Sequence, residues 1–314
     1  MLNVLTFGPH AGYWRDRIQS HCSGVSVRAA RHLAQVPPVS NGIEALVGWQ
    51  FPHSLFERLP DLRWVQYATV GVDGIESAPL PERVVITNAR GLHSDAVAEY
   101  AIWALLTLSR RFHIALAEQG RRRWEPIQGA TLSAKTVGIV GLGAIGQGVA
   151  DRARAMGMRI VGLVREDDGS PTRGFVDEQV TIDRIDDVIS TLDALVLCVP
   201  LTPSTRGLMN RKRIGRMKPG SLLVNIARGA VVDEDAVADA LGEGRLGGAA
   251  LDVFEREPLS RWSRLWKTAN LIVTPHVAGF TNTWREDVGD LICDNVASFV
   301  ANRPFIGVVD RHKT

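Results

Sequence analysis

The segment VGIVGLGAIGQGVA, residues 137–150, constrains this chain more than any other. An apolar strand runs into three glycines, Gly141, Gly143 and Gly146, as a helical stretch from Ala144 to Met156 begins. In such a turn the first glycine permits the tight bend, the second lets a ligand approach the backbone, and the third lets helix and strand pack closely. The helix N-terminus favours a phosphate placed against it. A GxGxxG string is weak by itself, but its position after a strand and at the opening of a helix is what a dinucleotide-binding turn requires. Glycines also occur in ordinary strand–helix turns, so the surrounding strands must decide.

They do so by repetition. KTVGIV (135–140), MRIVGLV (158–164), ALVLCV (194–199), SLLVNI (221–226), GAALDV (248–253) and LIVTP (271–275) are near-continuous apolar runs. Runs of that kind are buried on both faces, as in a parallel, doubly wound sheet. Six of them match a full dinucleotide-binding sheet. An earlier series, LNVLTF (2–7), VSVRAA (25–30), ALVGW (45–49), WVQYA (64–68) and VVITN (84–88), alternates with helix-length spacers and predicts a second parallel α/β unit. Between the two series lies an apolar helix from Asp95 to about Phe112, capped by Ser94 or Asp95. A polar connection, Gly120 to Gln128, follows it, and a last helix runs from Asn282 to about Ala301.

The end of the second strand bears on the choice of cofactor. NAD sites carry an acidic residue there for the ribose 2′-hydroxyl. Here the strand ends in Val164 and then Arg165. A carboxylate about 4 Å from a 2′-phosphate charge would cost roughly 4 kcal/mol at an effective dielectric of 20. Val164 removes that repulsion, and Arg165 offers a planar fork of donors to phosphate. This favours NADP over NAD. The alternative is a solvent-facing arginine paired with Glu166, Asp167 or Asp168, which leaves NAD possible.

Ligands of open α/β sheets bind beyond the carboxyl ends of the strands. Arg228 follows the SLLVNI strand, Glu257 follows GAALDV, and His276 follows LIVT. Arginine can grip the carboxylate of a 2-oxo acid through two parallel hydrogen bonds. A histidinium can donate a proton to a carbonyl oxygen as hydride reaches the carbon. A neighbouring carboxylate favours the charged imidazole and fixes its ring. Each residue also has a plain structural reading, as a turn arginine, a solvated glutamate or a helix-capping histidine.

Composition excludes other classes. A net charge of +2 implies no polyanionic partner, and the cluster Arg121–Arg122–Arg123–Trp124 reads as a solvated or interfacial face rather than a nucleic-acid site. Cys22, Cys198 and Cys293 lack CxxC spacing and suggest reduced thiols in a cytoplasmic protein. The opening MLNVLTFGPH has no basic segment of a signal peptide, and AEYAIWALLTL is too short to span a bilayer. His10, His21, His32, His53, His93 and His113 show no metal-ligand spacing.

The segments VGIVGLGAIGQGVA, VPLTPSTRGLMN, MKPGSLLVNIARGAVVDEDAVADAL, GAALDVFEREPL and TPHVAG resemble the D-isomer-specific 2-hydroxyacid dehydrogenase family over nearly the whole chain. GWQFP (48–52), TVGVDGI (69–75), RRFH with RRRWEP, and VVDR are most similar to its glyoxylate/hydroxypyruvate reductases. The resemblance implies a Rossmann-type cofactor domain, residues 94–282, inserted into a flavodoxin-like substrate domain, residues 1–93 plus 283–314, with the active site in the cleft. It implies that Arg228 binds substrate, Glu257 is the acidic partner and His276 the proton donor. Val70 and Gly71 match the loop whose N–H groups hold the substrate carboxylate, and Trp49 could wall the substrate site or simply pack nearby. Ala144, Ile145, Pro200, Ala227 and Asp252 fall where relatives meet the cofactor. A homodimer formed through the cofactor domains is also implied. Glu257, in place of a glutamine, argues against the formate dehydrogenases. Phosphite dehydrogenases, reductases of other 2-oxo acids and dinucleotide-sensing corepressors stay open.

Overall fold

The computed structural model describes residues 1–72, 74–165 and 176–310. The chain divides into two compact units, Met1–His93 with the tail from Thr281, and Ser94–Phe280.

The first unit opens with β1 (Leu2–Phe7), α1 (Ala11–His21), β2 (Val25–Ala30), β3 (Ala45–Gly48), α2 (His53–Phe56), β4 (Trp64–Tyr67) and β5 (Val85–Thr87). The strands pair in the order β2-β1-β3-β4-β5, and every pairing is parallel. That is the flavodoxin-like order. Successive side chains of a strand point to opposite faces. Leu5, Leu46 and Val65 therefore enter one core with Leu55 and Ile86, while Val4, Val47 and Trp64 enter another with Trp14 and Ile18.

The second unit begins with α3 (Ser94–Ser109) and α4 (Phe112–Gly120), then runs β6 (Thr136–Val140), α5 (Ala144–Ala155), β7 (Arg159–Val164), β8 (Glu178–Thr181), α6 (Ile185–Val188), β9 (Ala194–Leu197), α7 (Arg211–Arg216), β10 (Leu222–Asn225), α8 (Glu234–Gly242), β11 (Gly248–Leu251) and β12 (Leu271–Val273). Its parallel sheet has the order β12-β11-β10-β9-β6-β7-β8. This is the Rossmann order with one further strand, and it reverses direction between β6 and β9. The chain then returns to the first unit as α9 (Trp284–Val300), which packs on α1.

Two local expectations need correction. The six predicted strands are seven, because the mostly polar EQVT segment forms the edge strand β8 with only Val180 buried. A half-exposed edge strand carries little hydrophobic signal. The single helix expected from Asp95 to Phe112 is broken at Arg111, whose φ is +53°. The cause is the returning chain. Ala130 N–H donates to Ser109 O at 2.7 Å, and a Cβ on Gly129 would meet Arg110 Cα at 2.7 Å. The last turn of α3 is thus capped from outside, and α4 starts in a new direction. Among the described residues, no helix is long and apolar enough to cross a membrane, and no group of three His, Cys, Asp or Glu could hold a metal.

Candidate active site

The sheet order of the second unit sets the predicted residues along one rim. From β12 to β7, the carboxyl ends carry His276, then Asp252 and Glu257, then Ala227 and Arg228, then Pro200, then the glycine turn, then Arg165. Each lies just beyond a strand that is a direct neighbour of the next.

At the glycine turn the three glycines differ. Gly141 has a φ of +91°, where a side chain is strained. A Cβ on Gly146 would lie 1.9 Å from Gly141 O, so helix and turn touch through backbone alone. A Cβ on Gly143 would meet nothing within 4 Å. The open side of the cradle is therefore at Gly143, which is also the N-cap of α5 and brings no capping side chain. The first N–H groups of a helix have no intrahelical acceptors, and Ala144 is exposed beside them with Ile145 half-buried. Open space, unpaired donors and a helix dipole fit the pyrophosphate of a dinucleotide. Pro200 is exposed at the end of β9, with its carbonyl accepting from Thr205 Oγ1 at 2.7 Å. Ala227 is buried at the end of β10, its N–H donating to Asn225 Oδ1 at 3.0 Å. Arg165 is exposed directly after β7, while Glu166, Asp167 and Asp168 lie outside the described residues.

At the other end of the rim, His276 Nδ1 lies 2.8 Å from Glu257 Oε2. A carboxylate only accepts, so Nδ1 carries the proton and Nε2 is the nitrogen left to act on a ligand. The second carboxylate oxygen of Glu257 accepts Phe254 N–H at 2.9 Å. Its loop is tied down again where Glu255 N–H donates to Glu234 Oε1 at 2.6 Å. Burial pushes the Glu234 carboxyl up, against the pull of that hydrogen bond. Arg228 reaches this loop through its neighbour. A Cβ on Gly229 would lie 1.8 Å from the Phe254 carbonyl carbon, so the two loops are in backbone contact. Arg228 Nη1 donates to Ala227 O at 2.6 Å.

Asp252 is 1% exposed. Its carboxylate accepts from Thr274 Oγ1 at 2.6 Å, Val277 N–H at 2.9 Å and Ala278 N–H at 2.9 Å.

The first unit, taken alone, presents the Val70–Gly71 loop. Val70 O accepts from Asn88 Nδ2 at 2.5 Å and Gly71 O from Thr69 Oγ1 at 2.7 Å. With both carbonyls turned inward, neither loop N–H has an acceptor among the described residues. Trp49 follows β3 and packs edge-on to Trp284 with ring centroids 5.6 Å apart, and His10 is edge-on to Trp284 at 5.3 Å. Burial first, and then the Arg285 guanidinium, push the His10 imidazole down.

The sequence did not single out Asn88, Glu234, Thr274 or Tyr100 as supports of these loops. Their partners are distant in the chain, and no local pattern announces them.

Comparison with known proteins identifies the family. The family described as D-isomer specific 2-hydroxyacid dehydrogenase, NAD binding domain, matches residues 102–278. A glyoxylate reductase from Thermococcus litoralis is 34% identical over 271 residues, which cover 82% of this chain and 80% of the relative. An (S)-sulfolactate dehydrogenase from Chromohalobacter salexigens is 35% identical over 267 residues, 81% of this chain and 84% of the relative. An NADPH-dependent glyoxylate/hydroxypyruvate reductase from Sinorhizobium meliloti, solved with NADP and sulfate, superposes with a TM-score of 0.84 at 29% identity, covering 99% of both chains. The glycine cradle, the rim and these relatives lead to one conclusion: this chain is an NAD(P)-dependent enzyme of the D-isomer specific 2-hydroxyacid dehydrogenase family.

Proposed function

We propose that the protein reduces a small 2-oxo acid of the glyoxylate or hydroxypyruvate type to the D-2-hydroxy acid, with NADPH preferred over NADH. The observation that carries this reading is the His276–Glu257 pair, 2.8 Å apart, on the same rim as Arg228. In this reading residues 94–282 form the cofactor domain, and residues 1–93 with 283–314 form the substrate domain. Gly141, Gly143, Ala144, Ile145 and Gly146 hold the pyrophosphate, and Pro200, Ala227 and Asp252 serve the nicotinamide end. When bound, the cofactor supplies hydride to the carbonyl carbon. His276 gives the Nε2 proton to the carbonyl oxygen. Glu257 accepts from Nδ1 and fixes the plane of the ring. Arg228 binds the substrate carboxylate and polarises the carbonyl. Val70 and Gly71 add backbone N–H donors, and Trp49 limits substrate size.

The substrate reading draws support from the relatives named glyoxylate reductase, and the sulfolactate dehydrogenase makes a larger anionic 2-oxo acid the second reading. The cofactor reading draws support from Val164 and Arg165 at the end of β7. The test is initial rates of glyoxylate, hydroxypyruvate and 3-sulfopyruvate reduction with NADPH and NADH, in the wild type and in Arg165→Ala. Faster NADPH turnover that collapses in the variant supports the assignment. An NADH preference untouched by the variant rejects the NADP assignment. Preference for sulfopyruvate moves the substrate to the second reading, and a tight NADPH complex with no turnover favours a sensing role.

We also assign a homodimer. α4 has no buried residue although it is rich in apolar side chains. Phe112 is 53% and Leu116 51% exposed, with Trp103 of α3 44% exposed. Such a face is what a partner subunit covers. A cytoplasmic location is consistent with Cys22, Cys198 and Cys293 all being free thiols.

A further inference from the structure

His276 stands in an unusual backbone conformation. Its φ is +56°, in the left-handed region that a non-glycine residue seldom adopts. Strain of this kind persists only where the surroundings over-determine it. Here the over-determination is visible. His276 N–H donates to Asp252 O at 2.8 Å and to Thr274 O at 3.0 Å. The next two N–H groups, of Val277 and Ala278, donate to the Asp252 carboxylate. One buried aspartate therefore grips the turn before and after the histidine.

That grip has an outer end. Thr274 Oγ1 lies 2.6 Å from Asp252 Oδ1 and 2.5 Å from the Tyr100 hydroxyl. The proton count fixes the direction. A threonine hydroxyl has one proton, and the carboxylate can only accept. Thr274 therefore donates to Asp252, and the proton between Thr274 and Tyr100 comes from Tyr100. The chain runs from Tyr100 to Thr274 to the Asp252 carboxylate, which also accepts the N–H groups of the two residues after His276. Burial pushes the Tyr100 hydroxyl up to about 12, so it stays a donor throughout the neutral range. Hydrogen bonds in such a chain polarise one another and strengthen together. Tyr100 sits on α3, which packs against β10 and β11, so the outer end is anchored to the sheet that carries the rim.

We propose that Tyr100 is a positioning residue for the reaction. Its hydroxyl locks the Thr274 rotamer on Asp252, and that lock holds the strained turn that aims the His276 ring. Among the described residues Tyr100 has no hydrogen bond to the ring or to Glu257, and its link to the turn runs through Thr274 and Asp252. The inference rests on His276 being the proton donor.

The test uses the full-length enzyme with Tyr100→Phe, Thr274→Val, Thr274→Ser and the double variant Tyr100→Phe/Thr274→Val. A misplacement of about 1 Å can cost a hundredfold in rate, so partial loosening in Tyr100→Phe is expected to lower kcat about tenfold. KM for the 2-oxo acid and the dissociation constant for NADPH, from fluorescence titration without substrate, stay within about twofold. Thr274→Val falls at least as far, Thr274→Ser retains most of the rate, and the double variant falls no further than Thr274→Val. Amide exchange at Val277 and Ala278, measured without turnover, accelerates in Tyr100→Phe.

Unchanged kcat and unchanged amide exchange in Tyr100→Phe would overturn the proposal. So would effects of the two sites that multiply, because residues in one chain do not act independently. If the wild type reduces no 2-oxo acid, the reading of His276 fails. The exchange measurement then still decides whether Tyr100 holds the turn.

Discussion

Gly143 and Gly146 are three residues apart, yet the structure demands opposite consequences of adding a methyl group to each. At Gly146 the new Cβ would sit 1.9 Å from Gly141 O and 3.0 Å from its carbonyl carbon. Both atoms are backbone, so no side chain can rotate away. Ordinary contact would require α5 to move outward by more than about 1 Å, and overpacking of this kind costs typically 1–3 kcal/mol. With rigid partners the upper half of that range applies, which lowers the melting temperature by about 4–12 °C for a domain of this size. The same shift carries the helix N-terminus away from the phosphate site, so NADPH affinity falls as well. At Gly143 the new Cβ would meet no atom within 4 Å. Alanine in place of an N-cap glycine costs about 1 kcal/mol or less. The methyl group instead fills the open side of the cradle. Gly143→Ala is therefore expected to melt within about 3 °C of the wild type. It should lose at least tenfold in NADPH affinity, which corresponds to about 1.4 kcal/mol. The assay is thermal unfolding without cofactor beside fluorescence titration with NADPH. Wild-type cofactor affinity in Gly143→Ala, or an unperturbed melt in Gly146→Ala, would refute the reading of this turn.

Three further outcomes are expected. Asn88→Ala frees the Val70 carbonyl from its 2.5 Å hydrogen bond. The net worth of one such hydrogen bond is about 0.5–1.5 kcal/mol, so KM for the 2-oxo acid should rise by up to about tenfold with NADPH affinity unchanged, as steady-state kinetics would reveal. Phe112→Glu/Leu116→Glu places charges on the exposed face of α4, and under the proposed homodimer sedimentation should find a dimeric wild type and a monomeric variant. Burial, as the leading cause, holds the imidazoles of His10 and His93 below the ordinary 6.5. The unfolded chain then binds more protons than the folded one as pH drops through that value, so stability is lost on the acid side. The melting temperature should fall between about pH 7.5 and about pH 5.5, and His10→Gln should flatten that slope.

Much of this architecture is legible in the sequence because buried parallel strands leave unbroken apolar runs. ALVLCV, SLLVNI and GAALDV name their strands to within two residues. The glycine turn is legible because each glycine answers a separate steric demand. β8 escapes because only one of its four residues is buried. The break between α3 and α4 escapes because its cause, the chain at Gly129 and Ala130, is far along the sequence from the apolar stripe it interrupts. His276 and Glu257 are visible as chemistry-bearing residues beyond strand ends. The hydrogen bonds behind His276, from Thr274 to Asp252 and from Tyr100 to Thr274, exist only once β11, β12 and α3 are side by side.

The most direct test of the account is the rate of NADPH-dependent glyoxylate and hydroxypyruvate reduction by the wild type and by His276→Ala, with NADPH binding measured in both. Loss of a general acid costs typically 10²–10⁴-fold in rate. The account predicts wild-type turnover that falls by about that factor in His276→Ala while NADPH binding is unchanged. Near-normal turnover in the variant would contradict it.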